Sequence, residues 1–431
     1  MKKQGFKRVL CLLLSALGAL HFSACTKEEK TSGGNLTEMK SVEEVMKNAT
    51  SDELCGGNEL TKLTTPFYET QIQYNEGFIL LEKEDGSVND VTLLFPVAKI
   101  LEIRSNDFKT VYTEGADYEI VDGKIRLRAN SAMKAMPRSE FFYDDDAAAD
   151  YLYNDNAGAD KGKKPNTDKM ALYPYRYVAT YIRTEVYEGY VPEAKGEKLS
   201  GYADKVKNGE KIRAMYVGDS IGTGAGASGE FDLLADLLGK GIALGSNGKV
   251  EMQNASVGGL NAEQFGYILD GQLDRINEIF RDSATRAQAV VERYAATTDV
   301  VFISFGANDC AGSVSASAFA IYTCRIIDYF RDANPDVSVV LVSSMDINPK
   351  IRKSEAKGGA NLNGYDIGKY ADELLALESE YDNLISADIF RLQKSILERK
   401  IWEDVIADNL NHPCDYMQRI YVQGILAALA L

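Results

Sequence analysis

Two side chains in this sequence have the chemistry for covalent catalysis. Ser220 lies in Tyr216-Val217-Gly218-Asp219-Ser220-Ile221, at the end of an apolar run. His412 lies in Asp408-Asn409-Leu410-Asn411-His412-Pro413. A serine hydroxyl is a weak nucleophile until a neighbouring base takes its proton. The only other histidine, His21, falls in a leader-like N-terminal stretch, so imidazole-assisted attack has one base to use. Two further phrases carry neutral donors: Asn254-Ala255-Ser256-Val257-Gly258-Gly259 and Gly306-Ala307-Asn308-Asp309. A glycine lets a backbone N–H approach a substrate closely, and an asparagine donates without adding charge.

These phrases are far apart in the chain, so a regular scaffold must gather them. Apolar runs at 214–217, 250–257, 300–305, 338–342 and 384–389 have the continuous character of strands buried on both faces. Helical stretches at 231–238, 262–294, 318–330 and 370–381 separate them, and 415–431 is a closing helix. Strands alternating with helices predict a doubly wound α/β sheet, whose sites lie at the carboxyl ends of the strands. All four phrases are expected just after such strands. A further stretch, Gly224-Ala225-Gly226-Ala227-Ser228-Gly229, spells G-x-G-x-x-G ahead of a helix, with Glu251 at a suitable distance. The dinucleotide fingerprint needs its first glycine at the strand end. Here Gly218 to Thr223 intervene, so the stretch is read as a flexible loop lining the mouth of the site.

The part before this is different. Residues 66–195 hold short β-type runs at 78–81, 91–95, 118–121, 124–127 and 175–181, with Asp122-Gly123 predicting a hairpin. A small antiparallel β-sandwich-like accessory domain is expected there. Its acidic segment from Asp144 to Lys164 is read as a surface loop, with calcium binding by the aspartates as the alternative. Residues 25–65 are polar and expected to form a flexible tether, with one short helix near 42–47.

Together, in this order, the four phrases from Gly218 to Pro413 resemble the SGNH (GDSL-type) hydrolases, over residues 211–431. The resemblance implies a three-layer, flavodoxin-like hydrolase domain over 205–431, with Ser220 as nucleophile and His412 as general base. It also implies an oxyanion hole made by the Ser220 and Gly259 backbone N–H groups and the Asn308 amide. The family usually places an aspartate three residues before the histidine, and here that position is Asn409. Asn can orient an imidazole, but it does not stabilise the imidazolium as a carboxylate does. Asp408, one residue further back, is the favoured orienting acid, with Asn411 accommodating the extra residue and Asn409 as runner-up.

The N-terminal residues 1–24 read as an export signal: basic residues, then a short apolar stretch, then Phe22-Ser23-Ala24. Cys25 directly after Ser-Ala resembles the bacterial lipoprotein box, so the expected location is exported and lipid-anchored through Cys25. A net charge of −16 disfavours nucleic acid and anionic lipid surfaces as partners. Scarce histidine and the lack of a CxxC give no support for a metal site, and no cofactor is expected. Cys55, Cys310, Cys324 and Cys414 are read as free thiols, with a Cys310–Cys414 disulfide as the alternative.

The expected reaction is hydrolysis of a carboxylic ester through an acyl-enzyme, with an acetylated glycan as the substrate that the resemblance and the added β-domain suggest. Tyr173, Tyr175 and Tyr177 would suit sugar stacking, although core packing is the commoner role for such residues. Trp402 is read the same way, as core or as a cover for the site. The alternatives are a lipase or lysophospholipase and a catalytically inactive glycan-binding surface lipoprotein. An acyl transferase would carry the same residues.

Overall fold

A computed structural model describes residues 36–143, 150–354, 357 and 366–431. The export segment, Cys25 and the Asp144–Asp146 cluster lie outside the described residues. Five parallel strands form the central sheet in the order Val250–Asn254, Ile212–Gly218, Val300–Ser304, Ser338–Val342, Leu384–Ala387. This 2-1-3-4-5 order is the flavodoxin-like one. Alternate residues serve opposite faces, as strand geometry requires. Met215, Val217, Val301 and Ile303 enter one core; Ala214, Tyr216, Val300 and Phe302 enter the other.

The five sheet strands fall where the apolar runs predict them, with shifted ends. The expected helix over 262–294 is broken. It is resolved into Ala262–Leu269 and Glu278–Tyr294. Gly271, at φ +71°, turns the chain out of the first helix, and the Asn277 side chain accepts the Ile279 N–H to start the second.

The region before the sheet is β-rich and antiparallel. Its main sheet runs Ile72–Ile79, Arg176–Arg183, Val97–Ser105, Val111–Tyr112. Tyr118–Val121 and Lys124–Leu127 pair as the predicted hairpin, with Asp122 and Gly123 both at positive φ. The run at 91–95 is buried except at Thr92, and among the described residues it pairs through one bridge, Val91 to Ile125. Within the described part of the acidic segment, Tyr151–Tyr153 is a strand paired with Ile351–Lys353 of the α/β region. The described part of the expected tether carries two helices, Val42–Asn48 and Leu60–Thr64. Leu63 of the second is buried, and its carbonyl accepts a bond from the Gln423 side chain.

The described residues form one compact unit. The reason lies in the last helix, Asp415–Ala428, in which every residue is buried. One core shares Met417, Tyr421 and Ile425 from this helix with Phe302 from the parallel sheet and Phe78 and Tyr181 from the antiparallel one. Gly77 is required at the second contact, because a Cβ there would lie 2.6 Å from that of Tyr416. The Arg419 guanidinium donates to the Asn75 carbonyl across the same junction.

A buried ionic cluster completes the joint. Lys400 Nζ lies 2.9 Å from Glu76 Oε1 and 3.3 Å from Asp404 Oδ2. Glu76 also takes the Tyr181 hydroxyl and the Leu94 N–H, and Asp404 takes the Ile79 N–H. Burial works against the Lys400 charge, but Asp404 and Glu76 outweigh it and hold its pKa above the usual lysine value. Removing one member of such a cluster strands the others without a counter-charge. Lys400→Met should therefore destabilise the protein by about 3–5 kcal/mol. Urea unfolding of the full chain checks this; an unchanged midpoint would show that the cluster carries no net stability.

Candidate active site

Ser220 follows the strand Ile212–Gly218, where the chain turns sharply. Thr223, Gly224 and Ala225 donate their N–H groups to the carbonyls of Asp219, Ile221 and Ser220. The buried Asp219 carboxylate accepts the Ile221 N–H at 2.9 Å and braces this turn. Gly218 has no room for a side chain, since a Cβ would lie 2.6 Å from the Ser304 carbonyl oxygen of the neighbouring strand.

His412 comes from a loop closed on itself. Ala407 donates its N–H to the His412 carbonyl, and Ile406 bridges to Pro413. Asp408 organises the interior: its Oδ1 accepts the N–H groups of Leu410, Asn411 and His412 at 3.0, 3.2 and 3.3 Å. Its Oδ2 lies 2.5 Å from His412 Nδ1. His412 Nε2 is then 2.8 Å from Ser220 Oγ. With Nδ1–H donating to the carboxylate, Nε2 is free to accept the serine proton, the tautomer this network requires.

The electrostatics fit a base poised beside a hydroxyl. Burial of the imidazole disfavours its charge, but the hydrogen bond and attraction from Asp408, aided by Asp219, raise its pKa above 6.5. Lys169 acts in the opposite direction. For Asp408, burial opposes ionisation, yet His412 and the loop N–H groups hold its pKa below the usual carboxylate value. Burial pushes Asp219 up to about 6 and Asp309 up to about 7.

The other two phrases converge on the same place. A Cβ built on Gly258 would lie 3.7 Å from that of Ser220, so the Gly258-Gly259 turn abuts the serine. Gly259 has φ +81°, and a side chain there would strike the Phe280 ring at 2.5 Å. Asn308 donates one amide hydrogen to the Leu260 carbonyl at 3.0 Å, which fixes the amide beside that turn. Its second amide hydrogen is a further donor. Asp309 accepts the Ala262 N–H from the same turn. That anchoring role carries no sequence signal beyond adjacency to Asn308.

Asn409 does not meet the imidazole. It is buried at φ +60°, with its amide donating to the Asn166 carbonyl. Cys55 and Cys414 are free thiols, and Cys310 and Cys414 belong to opposite cores, so the alternative disulfide between them is not formed. Tyr173 and Tyr177 are buried, while Tyr175 is half-buried; Trp402 packs against the core. The glycine-rich stretch 224–229 is a loop against the histidine loop, since a Cβ on Gly226 would fall 2.0 Å from the Pro413 carbonyl oxygen. Sequence reading missed residues 166–173 of the β-rich region, which reach both loops. Their spacing gives no periodic signal for this.

A parallel α/β sheet with a Ser–His–Asp relay at its carboxyl edge is the arrangement of a serine hydrolase. Residues 216–415, somewhat under half of the chain, match the GDSL-like lipase/acylhydrolase family, and this match supports the GDSL/SGNH hydrolase family for that stretch. No curated protein matches the chain. Among solved structures, it is similar to a two-domain esterase active on acetylated mannans, at 17% identity over 54% of this chain and 53% of that one, with a TM-score of 0.38. The chain thus spans about half the length of that esterase. It is also similar to a lipase from a goat rumen metagenome (17% identity, 50% and 97% covered, TM-score 0.36). A carbohydrate esterase from Talaromyces cellulolyticus gives 14% identity, 50% and 94% covered, and a TM-score of 0.34.

The site makes a direct prediction about titration. Asp408 holds the imidazole pKa up, so Asp408→Asn should lower it, because burial and Lys169 then face less opposition. Proton NMR of the full chain reports this through the ring resonance absent from His412→Gln. A His412 pKa that stays put or rises in Asp408→Asn would contradict the assignment of the carboxylate as its partner.

Proposed function

We propose that this protein is a serine ester hydrolase that works through an acyl-enzyme, and that its substrate is an acetylated carbohydrate. The observation that carries the reaction is the unbroken relay from Asp408 through His412 to Ser220. Ser220 Oγ attacks the ester carbonyl while His412 Nε2 takes its proton. Asp408 stabilises the imidazolium so formed. The Ser220 and Gly259 N–H groups and the free Asn308 amide hydrogen serve the oxyanion. Collapse of the tetrahedral adduct breaks the bond to the alcohol oxygen, which leaves with the proton held by His412. A water molecule, deprotonated by the same imidazole, then attacks the acyl-enzyme, releasing the acid and restoring Ser220.

The carbohydrate reading is supported by polarity. Asn254 ends its strand, Asn308 lies in the first turn of the helix Ala307–Ala311, Asn411 lies on the histidine loop, and all three are at least partly exposed. A short acyl group on a hydroxyl-rich alcohol suits such surroundings. A lipase reading draws on one feature, Ile279, which is 77% exposed and adjacent in sequence to the Phe280 that packs on Gly259. An inactive binding protein would be favoured by Asn409 in the acid's place; the contact of Asp408 with His412 supports the active reading instead. The N-terminal sequence leads us to include export and lipid attachment at Cys25 in this reading.

Acid release by the full chain from p-nitrophenyl acetate, a long-chain p-nitrophenyl ester and acetylated glycans tests the proposal. Ser220→Ala and His412→Ala should each lower kcat by at least about a thousandfold. Acetyl esters should be preferred over long-chain ones. Preference for the long chain would favour the lipase reading. Turnover surviving in Ser220→Ala would sink the mechanism.

A further inference from the structure

Residues 166–173 of the β-rich region run beside both loops of the site. Lys169 Nζ donates to the carbonyls of Ala225 and Ala227, each at 2.6 Å. The Tyr173 hydroxyl donates to the Gly226 carbonyl between them at 2.7 Å and accepts the Asp415 N–H at 3.2 Å. Asp415 Oδ1 accepts the Ser228 N–H. The Asn166 carbonyl accepts the Asn409 amide. The loop so held begins in the turn that carries Ser220, since Ala225 donates its N–H to the Ser220 carbonyl. Its Gly226 rests on the chain at His412 and Pro413.

Granting the hydrolase reading above, we propose that Lys169 is a positioning residue: from the β-rich region it holds the 224–228 loop, and with it Ser220, in register with His412. Three successive carbonyls turned towards one ammonium and one hydroxyl are a specific clamp. Charge-assisted bonds of this length are among the stronger hydrogen bonds. A nucleophile displaced by about 1 Å loses on the order of a hundredfold in rate, so such a clamp acts directly on turnover. The clamp's charge also bears on the base. The charged groups acting on His412 are Asp408 from its own loop, Asp219 from the nucleophile turn, and Lys169. The first two favour the imidazolium and Lys169 opposes it, which helps keep the resting base neutral.

The test uses the full chain with Lys169→Met, Lys169→Arg and Tyr173→Phe, each checked for a wild-type melting temperature. Lys169→Met should lose roughly tenfold or more in kcat on a short-chain ester, with KM changed by less than about threefold. Its His412 ring resonance should titrate higher than in the wild type, since the opposing charge is gone. Lys169→Arg should restore the titration, and Tyr173→Phe should lower kcat without moving it. A folded Lys169→Met with wild-type titration overturns the proposal even if kcat falls, because loss of packing alone would give that result. If Lys169→Met does not fold, Lys169→Gln takes its place with the same readings. Should the wild-type chain hydrolyse no ester, the hydrolase reading falls. The clamp is then judged on the titration and on faster amide hydrogen exchange at 224–228 in the variant.

Discussion

A helix that is apolar on every side has to be enclosed on every side. The last helix, Asp415–Ala428, is such an element: Tyr416, Met417, Ile420, Tyr421, Val422, Ile425 and Leu426 occur all around it, and all are buried. The parallel sheet supplies one wall and the antiparallel sheet another. Three of its polar residues are answered within the fold: Arg419 by Asn75, Gln423 by Leu63 and Phe67, Asp415 by Ser228 and Asn106. The histidine loop leads directly into this helix. The position of His412 therefore depends on a packing requirement that both halves of the protein satisfy together.

Within that frame, the site is governed by how buried carboxylates are satisfied. Asp408 has three backbone donors and one imidazole, so it stays ionised despite burial. At Asp219 and Asp309 burial dominates and raises the pKa, because the backbone N–H groups they receive come without a hydrogen-bonded cation. One aspartate is thereby charged to act on the histidine, while two brace turns from positions where charge is disfavoured. The same residue type serves both ends because, of the three, Asp408 alone is bonded to the imidazole.

The sheet and the four phrases of the site were legible in the sequence because their signals are local. Ile212–Gly218 and Ser338–Val342 are continuous apolar runs, and Ser220, Gly259 and Asn308 each follow a strand end. The choice of Asp408 over Asn409 followed from charge; Asp408 lies against the imidazole, and the Asn409 amide donates to the Asn166 carbonyl. What escaped was cooperative. Val97–Ser105 is the longest strand of the antiparallel sheet, yet Lys99, Glu102 and Arg104 dilute its apolar alternation because part of it faces solvent. The break in the expected 262–294 helix rests on two cap residues within an otherwise helical pattern. The reach of Lys169 to Ala225 and Ala227 depends on how distant segments pack, which no spacing along the chain encodes.

The place of the enclosed helix along the chain has a consequence for biosynthesis. Every strand that walls it is made before it, so the two sheets leave the ribosome with their shared centre still missing. Chains of this size fold through intermediates, and those that expose apolar surface are the ones that aggregate. Here Phe78, Tyr181, Tyr216 and Phe302 have no complete partner until the final helix arrives. The same step delivers the histidine loop, so a nascent or prematurely ended chain holds Ser220 with no imidazole beside it. Completion of the core and arming of the serine are one event in the life of the molecule.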